Sequence, residues 1–391
     1  MRRVQLDNML AAILESYKNI SDVNFTAGKF PQVEVDGELI ELKIYPGMEP
    51  LSAFQTETIA LNLLGNNRRL HHTLIEQGSC DLSYSLGEKA RFRVNIFSQK
   101  GCYSIVMRRL ANRVPTFEEM KLPESLAKLP QDKNGIILFT GATGSGKTTS
   151  IAAILDIINK TKAVHVVTLE DPVEYVYGHH KATFNQRELG VDFDSFALGL
   201  RAALRQAPKV ILVGEMRDRE TVDIGLTAAE TGHLVLSTLH TINAGQTINR
   251  IIGMFDKAEE TQTRMRLADT VRWIVCQRLL PKIGGGRVAA FEILGGGLRT
   301  KDLIINGQSE GKTYYSIMES SRTFGMMTFE QSITDLFSAG LITEETALAY
   351  SSRKGVIGRY LDGIKSIRGE KTTNIESLDM DKEYGKKKEL I

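Results

Sequence analysis

The sequence predicts an α/β protein in which a small α+β module precedes a larger domain built on a mainly parallel sheet. Two observations lead to this fold class. From about residue 120 onwards, short continuous apolar runs alternate with helix-like stretches, as in parallel sheets that helices cover on both faces. Before about residue 110, strand-like runs follow a single amphipathic helix, and several of them alternate polar and apolar residues. The two halves of the chain therefore follow different patterns.

Composition limits the class of protein further. The chain has 391 residues, of which 42% are apolar and 25% are charged, as in a soluble globular protein of two or three domains. The formal net charge is only +2, so no overall field favours nucleic acid or an anionic membrane. No apolar run approaches the roughly 18 residues that a membrane-spanning helix needs. Cys80, Cys102 and Cys276 are widely separated and form no CxxC pair, which predicts reduced thiols. We therefore expect a cytoplasmic protein that reaches a membrane only through a partner, without inserting directly.

The first module, predicted over residues 1–110, begins with an amphipathic helix. Apolar residues recur at helical spacing in its sequence, at Leu6, Met9, Leu10, Ile13, Leu14 and Tyr17. The strand-like runs that follow include residues 22–25, 32–37, 81–84, 91–95 and 104–108. The Asp36-Gly37 pair predicts a hairpin turn. Residues 111–119 are the predicted linker, because Pro115 discourages regular structure there.

The larger domain is predicted over residues 120–368. Its buried-type strands are expected at residues 136–139, 164–169, 210–213 and 234–237, with helices between them. After about residue 255 the pattern predicts a mostly helical segment with two glycine triplets, at 284–286 and 295–297. The remaining residues, 369–391, form a polar tail that we expect to be frayed.

A glycine-rich run follows the first of these strands. Residues 141 to 148 read Gly-Ala-Thr-Gly-Ser-Gly-Lys-Thr, and a helix-like run leaves them. Backbone N–H groups and a helix N-terminus would then converge on an anion, with Lys147 on the β- and γ-phosphates and Thr148 on Mg²⁺. A chance glycine-rich turn is the alternative. The strand and helix on either side favour nucleotide binding by Gly141, Ala142, Thr143, Gly144, Ser145, Gly146, Lys147, Thr148 and Thr149.

Carboxylates follow two of the predicted strands. Glu170, Asp171 and Glu174 come directly after the strand at 164–169, so they fall at the carboxyl edge, where parallel sheets bind ligands. Such a carboxylate can order or deprotonate the water that attacks a γ-phosphate. An acidic turn capped by Pro172 is the alternative. Glu215 follows the strand at 210–213, where a carboxylate can hold Mg²⁺ directly or through its waters.

Two histidines lie on either side of the strand at 234–237. His240 follows it and is expected near the other active groups, whereas His233 precedes it and would lie at the opposite edge. A neutral imidazole could sense the γ-phosphate or relay its state to a neighbour. A purely structural histidine is the alternative for each.

Four arginines in the first module form the last set of candidates. Arg91 and Arg93 stand two apart on a strand and so share one face. Together with Arg108 and Arg109 they could serve as arginine fingers that stabilise charge on a transferring phosphoryl group. A solvated basic strand face is the alternative.

These motifs together resemble one family. The runs GATGSGKTT, TLEDPVEY, ALRQAPKVILVGEMRD and TAAETGHLVLSTLHT occur in this order and at close spacing. They resemble the Walker A, Asp box, Walker B and His box of the type II and type IV secretion ATPase superfamily. Residues 21–24, 33–37 and 91–95 look like the PAS-like N-terminal domain of that superfamily.

Within the superfamily, the chain looks most like the type IV pilus retraction branch. Its short N-terminal region and residues 214–218 and 283–290 fit that branch. The long N-terminal extension and tetracysteine zinc site of assembly ATPases are absent from the sequence. One departure is residues 297–300, where the branch typically has Ala-Ile-Arg-Asn and this chain has Gly-Leu-Arg-Thr.

The resemblance implies a RecA-like core and a homo-hexameric ring that hydrolyses ATP with Mg²⁺ between two domains. Glu174 becomes the general base with Glu170 as its substitute, and Glu215 the Walker B carboxylate that holds the metal with Thr148. The four arginines become fingers, and His233 and His240 couple nucleotide state to domain position.

Hydrolysis would then swing one domain against the other about a hinge near residues 111–116. Those swings would turn an inner-membrane platform protein and draw pilin subunits out of the fibre, which powers twitching motility. An assembly or Dot-like secretion ATPase, a RecA-like nucleic-acid translocase and a nucleotide-dependent scaffold remain the alternatives. No nucleic acid is expected as a partner.

Overall fold

Two β-sheets organise the chain. The structure, a computed structural model, describes residues 3–111 and 113–369, so the predicted tail beyond Gly369 and Asn112 of the predicted linker lie outside the described residues. A six-stranded sheet takes strands from residues 20 to 110, and a seven-stranded sheet takes strands from residues 135 to 295. Each sheet buries its own apolar clusters.

The six-stranded sheet is antiparallel and packs against three helices. The strands are β1 (Ile20–Phe25), β2 (Gln32–Val35), β3 (Glu38–Glu41), β4 (Ser79–Leu86), β5 (Ala90–Gln99) and β6 (Cys102–Leu110). Their order is β3-β2-β1-β6-β5-β4. The helices are α1 (Arg3–Ser16), α2 (Ala53–Leu64) and α3 (Arg68–Gln77). The predicted α+β character of this module is confirmed.

Two local features of this module match the sequence pattern. Asp36 and Gly37 join β2 to β3 with φ values of 52° and 91°, the left-handed pair that a tight hairpin turn requires. Along β5, Phe92 and Val94 are fully buried in the module's core. Arg91 and Arg93 therefore lie on the opposite face of the strand, which is turned towards the second sheet.

The seven-stranded sheet is parallel except at one edge. Its strands are β7 (Gly135–Thr140), β8 (His165–Glu170), β9 (Thr183–Glu188), β10 (Val210–Val213), β11 (Leu234–Leu239), β12 (Val271–Pro281) and β13 (Arg287–Gly295). The order is β13-β12-β7-β11-β10-β8-β9, and only the pair β12–β13 is antiparallel. The predicted α/β class is confirmed.

Ten α-helices accompany this sheet in the described part of the chain. They are α4 (Lys147–Thr161), α5 (Phe196–Ala203), α6 (Arg219–Glu230), α7 (Ala244–Ile252), α8 (Glu260–Thr270), α9 (Leu298–Asn306), α10 (Tyr314–Ser320), α11 (Phe329–Ser338), α12 (Glu344–Tyr350) and α13 (Lys354–Arg368). Short 3₁₀ turns occupy Glu124–Gln131, Lys257–Glu259 and Arg322–Phe324. Among residues 3–111 and 113–369, no helix combines the length and apolarity that crossing a bilayer requires.

In the described part of the chain, the segment after residue 255 is mostly helical, as the sequence pattern predicted, but it also contains two strands that the pattern did not predict. The strands β12 and β13 form a long hairpin there, and β12 pairs in parallel with β7 beside the glycine-rich loop. Residues 284–286 make the turn, with φ values of 84°, 96° and 77° that favour glycine. Arginines and a glutamine interrupt the apolar run of β12, so its periodicity alone did not separate strand from helix.

Parallel pairing fixes where the loops meet. The strands β7, β8, β10 and β11 run in one direction, so their carboxyl ends lie at a single edge of the sheet. The glycine-rich loop, the acidic segment after β8, Glu215 after β10 and His240 after β11 all leave the sheet at that edge. This arrangement generates the site.

Candidate functional site

A cavity of about 570 Å³ opens at this edge of the sheet. The glycine-rich loop forms one wall, and acidic, basic and aromatic side chains form the others. Its titratable lining residues, apart from the tyrosines, are Arg93, Lys147, Glu170, Asp171, Glu174, Glu215, Arg217, His240 and Arg287. Predicted site residues from both sheets therefore meet in one cavity.

The phosphate loop, residues 141–148, connects β7 to α4 and depends on its glycines. Gly144 and Gly146 have φ values of 77° and 86°, which disfavour residues with a side chain. At Gly141 an added Cβ would lie 2.4 Å from the carbonyl oxygen of Gln277 on β12. The backbone thus turns tightly against β12 before α4 begins at Lys147. A helix N-terminus of this kind attracts an anion.

Lys147 is held against the loop that precedes it. Its Nζ donates to the carbonyl oxygens of Gly141 at 2.8 Å and Ala142 at 3.1 Å, and the residue is only 8% exposed. Burial lowers the pKa of the Lys147 ammonium, and the negative charges of Glu215 and Glu174 oppose that shift. A cation therefore sits inside the cavity next to two carboxylates.

Two glutamates of the acidic segment, residues 170–174, differ in their surroundings. Glu170 is buried, and its Oε1 accepts hydrogen bonds from Thr168 Oγ1 at 2.6 Å and Gln186 Nε2 at 3.3 Å. Burial raises the pKa of Glu170 to about 7 against the effect of those bonds. Burial also raises the pKa of the half-buried Glu174, opposed by the charge of Arg93 and a hydrogen bond from Thr148. Glu174 is the more accessible of the two.

Glu215 lies at the centre of a charged group. Its Oε1 is 2.6 Å from Arg217 Nε, and its Oε2 is 3.7 Å from His240 Nε2. Thr148 and Glu215 both line the cavity and offer the oxygen donors that Mg²⁺ prefers. The described residues hold no group of three or more His, Cys, Asp or Glu suited to a metal. The donor set fits an ion that substrate phosphates and waters also coordinate.

The two predicted histidines lie far apart in the sheet. His240 lines the cavity. The structure does not bring His233 to the site: its ring is 2.9 Å from the carbonyl oxygen of Ala228, and its own carbonyl accepts from the Gly135 N–H at the amino end of β7. This is the edge opposite the phosphate loop, as expected for a residue that precedes its strand.

Only one of the four predicted arginines lines the cavity. That residue is Arg93. Arg91 instead donates to the carbonyl oxygens of Val173 and Glu174, whereas Arg108 binds the buried Asp22 at 2.9 Å.

Arg109 is exposed and is paired across the strands with the buried Phe92, so it lies on the other face of the sheet. Four basic residues of similar sequence context therefore have four different environments.

The sequence pattern missed two residues beside the loop. Gln277 on β12 is 1% exposed, and its Oε1 accepts from Ser150 Oγ at 2.8 Å, directly beneath the phosphate loop. Arg287 begins β13 and lines the cavity. Both lie in the hairpin that the pattern predicted to be helical, so no sequence signal placed them near the loop.

The chain is similar in sequence to known proteins over most of its length. A sequence model of the family described as "Type II/IV secretion system protein" matches residues 44–291. The chain is 39% identical to the type IV pilus ATPase PilU of Pseudomonas aeruginosa over 349 residues, which are 89% of each protein.

Two solved structures are similar to this chain over most of their length. A crystal structure of the pilus retraction motor PilT with bound ADP has a TM-score of 0.80 and 40% identity, covering 90% of this chain and 98% of that one. The Legionella pneumophila ATPase DotB has a TM-score of 0.76 and 28% identity, covering 89% and 95%.

The raised pKa of Glu170 predicts a pH dependence of stability. The folded chain holds a proton on Glu170 up to about pH 7, whereas the unfolded chain releases it near the ordinary value of 4.5. Since the folded state binds the extra proton in this interval, this group makes the free energy of unfolding fall as pH rises through it. Between about pH 5 and about pH 8, the free energy of unfolding of Glu170→Gln should fall by about 1–3 kcal/mol less than that of the wild type. Urea titrations at a series of pH values measure this difference.

The exposed Glu345 provides the control for this measurement. Glu345→Gln should follow the wild-type pH profile, because a solvated carboxyl contributes little. Parallel profiles for wild type and Glu170→Gln would contradict the assignment.

Proposed function

The chain belongs to the type II/IV secretion system protein family, and we propose that it is an ATP-hydrolysing motor that retracts type IV pili. One observation carries the proposal: a single cavity contains the phosphate loop with Lys147, the acidic Glu174 and, from the other sheet, Arg93. Such a set can bind a triphosphate, activate water and respond to the γ-phosphate. Similarity to a protein named as a pilus retraction motor supports the direction of work.

Residues 141–149 are the proposed nucleotide-binding residues. The backbone N–H groups at the start of α4 and the ammonium of Lys147 would hold the β- and γ-phosphates. In this structure Lys147 donates to the carbonyl oxygens of Gly141 and Ala142. It would release these two partners when it turns towards the phosphates. Thr149 accepts a hydrogen bond from the Tyr175 hydroxyl at 3.3 Å, which ties the loop to the acidic segment.

Glu174 is the proposed general base, and Glu170 its substitute. Burial raises the pKa of Glu174, so its carboxylate takes a proton from water more readily than a solvated one would. Glu170 is less suited, because it is buried and already bonded to Thr168 and Gln186. Arg93 would stabilise the charge that develops on the transferring phosphoryl group.

Thr148 and Glu215 are the proposed Mg²⁺ ligands. The metal would neutralise phosphate charge when bound. Glu215 also contacts Arg217 and His240. We propose that this charged group responds to loss of the γ-phosphate, because the charge facing it then changes. His233 couples to nucleotide state only indirectly, from the opposite edge of the sheet.

The proposed machine is a homo-hexamer of two-domain chains. Residues 1–110 and 120–368 would move as units about the linker at 111–119 and act on an inner-membrane platform protein from the cytoplasmic side. An assembly or secretion ATPase is the second candidate, supported by the likeness to DotB at lower identity. A nucleic-acid translocase is disfavoured by the formal net charge of +2.

Replacement of Glu174, the proposed base, should lower ATP hydrolysis without weakening nucleotide binding. In the full-length chain, Glu174→Gln should lower phosphate release by about 10²-fold or more, because water loses its proton acceptor. The affinity for a fluorescent ADP analogue should change little, whereas Lys147→Ala should weaken it, since the ammonium binds the phosphates.

Glu345→Gln is the control for this loss, because Glu345 is an exposed carboxylate that lies outside the cavity lining. It should keep most of the wild-type rate. A wild-type rate for Glu174→Gln would rule out the assigned base.

A role in pilus retraction predicts the phenotype of a gene deletion. Cells that lack the gene should carry excess pili and fail to twitch, because assembled fibres are no longer withdrawn. Electron microscopy and a surface motility assay measure both. Complementation by wild type should restore twitching, and complementation by Glu174→Gln should not. Bald cells would point instead to the assembly ATPase.

A further inference from the structure

A buried carboxylate joins the two sheets behind the cavity. Glu188 ends β9, is only 5% exposed and lies outside the cavity lining. Its Oε1 accepts from the backbone N–H of Ser83 on β4 at 2.8 Å, and its Oε2 accepts from the N–H of Val173 at 3.1 Å. One carboxylate thus binds the N-terminal module and the acidic segment at the same time.

Arg91 holds the same segment from the other sheet. Its two terminal nitrogens donate to the carbonyl oxygens of Val173 at 2.9 Å and Glu174 at 3.1 Å. Burial lowers the pKa of Arg91, and the charges of Glu188 and Glu170 oppose that shift. The backbone at Val173 is therefore fixed through both its N–H and its carbonyl group, next to the carboxylate of Glu174.

We propose that Glu188 and Arg91 are positioning residues that hold Glu174 for hydrolysis only while the two sheets are in contact. The proposal rests on the proposed ATPase function. Separation of the sheets removes the Ser83 N–H from Glu188 and the Arg91 guanidinium from the acidic segment. Glu174 then loses its fixed place relative to the phosphate loop, and a shift of about 1 Å costs roughly 10²-fold in rate. Domain contact and chemistry are linked through these two side chains.

The same interface offers a contact that does not touch the acidic segment. Arg69 on α3 lies 3.0 Å from Asp194 and donates to the carbonyl oxygen of Val191 at 3.1 Å. The side chains of this ion pair are 48% and 61% exposed. Because a solvent-exposed ion pair contributes little to stability, Arg69→Ala should leave the two sheets in contact, and it removes no bond to residues 171–174, which makes it the matched control.

The experiment compares Glu188→Gln with this control in the full-length chain. A glutamine offers one acceptor oxygen, so the N–H of Ser83 or Val173 loses its partner and Arg91 loses a compensating charge. We expect kcat to fall roughly 10- to 100-fold, KM for ATP to stay within about twofold, and amide hydrogens of residues 173–177 to exchange faster. Arg69→Ala should change neither kcat nor that exchange.

A second variant approaches the contact from the other sheet. Arg91→Lys replaces a forked donor with a point charge that cannot hold two carbonyl groups in the same geometry, so it should reproduce the loss of kcat. It also carries the test if Glu188→Gln does not fold. Wild-type kcat in the folded variants, or a lower kcat with unchanged exchange at 173–177, overturns the proposal.

The failure of the proposed function would look different. A wild-type chain that hydrolyses no ATP would refute the ATPase activity. The exchange comparison between Glu188→Gln and Arg69→Ala would still decide whether Glu188 holds the acidic segment.

Discussion

Parallel pairing of β7, β8, β10 and β11 is the constraint on which the rest of the molecule depends. It brings loops that begin at residues as distant as 141 and 240 to one edge of one sheet. Parallel strands are joined by crossover connections, so the chain leaves each of these buried strands at the same edge of the sheet. The phosphate loop, the acidic segment, Glu215 and His240 share a cavity because of this topology and not because of their spacing along the chain.

The six-stranded sheet completes the site from outside. Its β5 strand alternates core residues with arginines, and the arginine face meets the acidic segment. Arg93 extends into the cavity, whereas Arg91 is bound to backbone carbonyl oxygens. A site divided in this way would respond to the position of the module as well as to the nucleotide. That property is what a motor requires, because hydrolysis and movement must depend on each other.

Much of this site could be predicted from the sequence, since local patterns specify it. The glycines of the phosphate loop, the apolar strands and the rule that ligands bind at the carboxyl edge placed Lys147, Glu174, Glu215 and His240 together. The same rule put His233 at the opposite edge. The β12–β13 hairpin was missed because mixed polar and apolar residues obscure its period, and with it Gln277 and Arg287. The different environments of Arg91 and Arg93 depend on how two sheets pack, which no local pattern encodes.

The central claim is that a side chain from the N-terminal module acts on the γ-phosphate bound by the other sheet. Arg93→Ala tests it most directly, through the affinities of the full-length chain for ADP and for ADP with aluminium fluoride, which mimics the transferring phosphoryl group. A residue that contacts only the γ-position should leave ADP affinity unchanged and weaken the mimic by roughly 10²-fold or more. Equal losses for both ligands, or no loss for the mimic, would contradict the account.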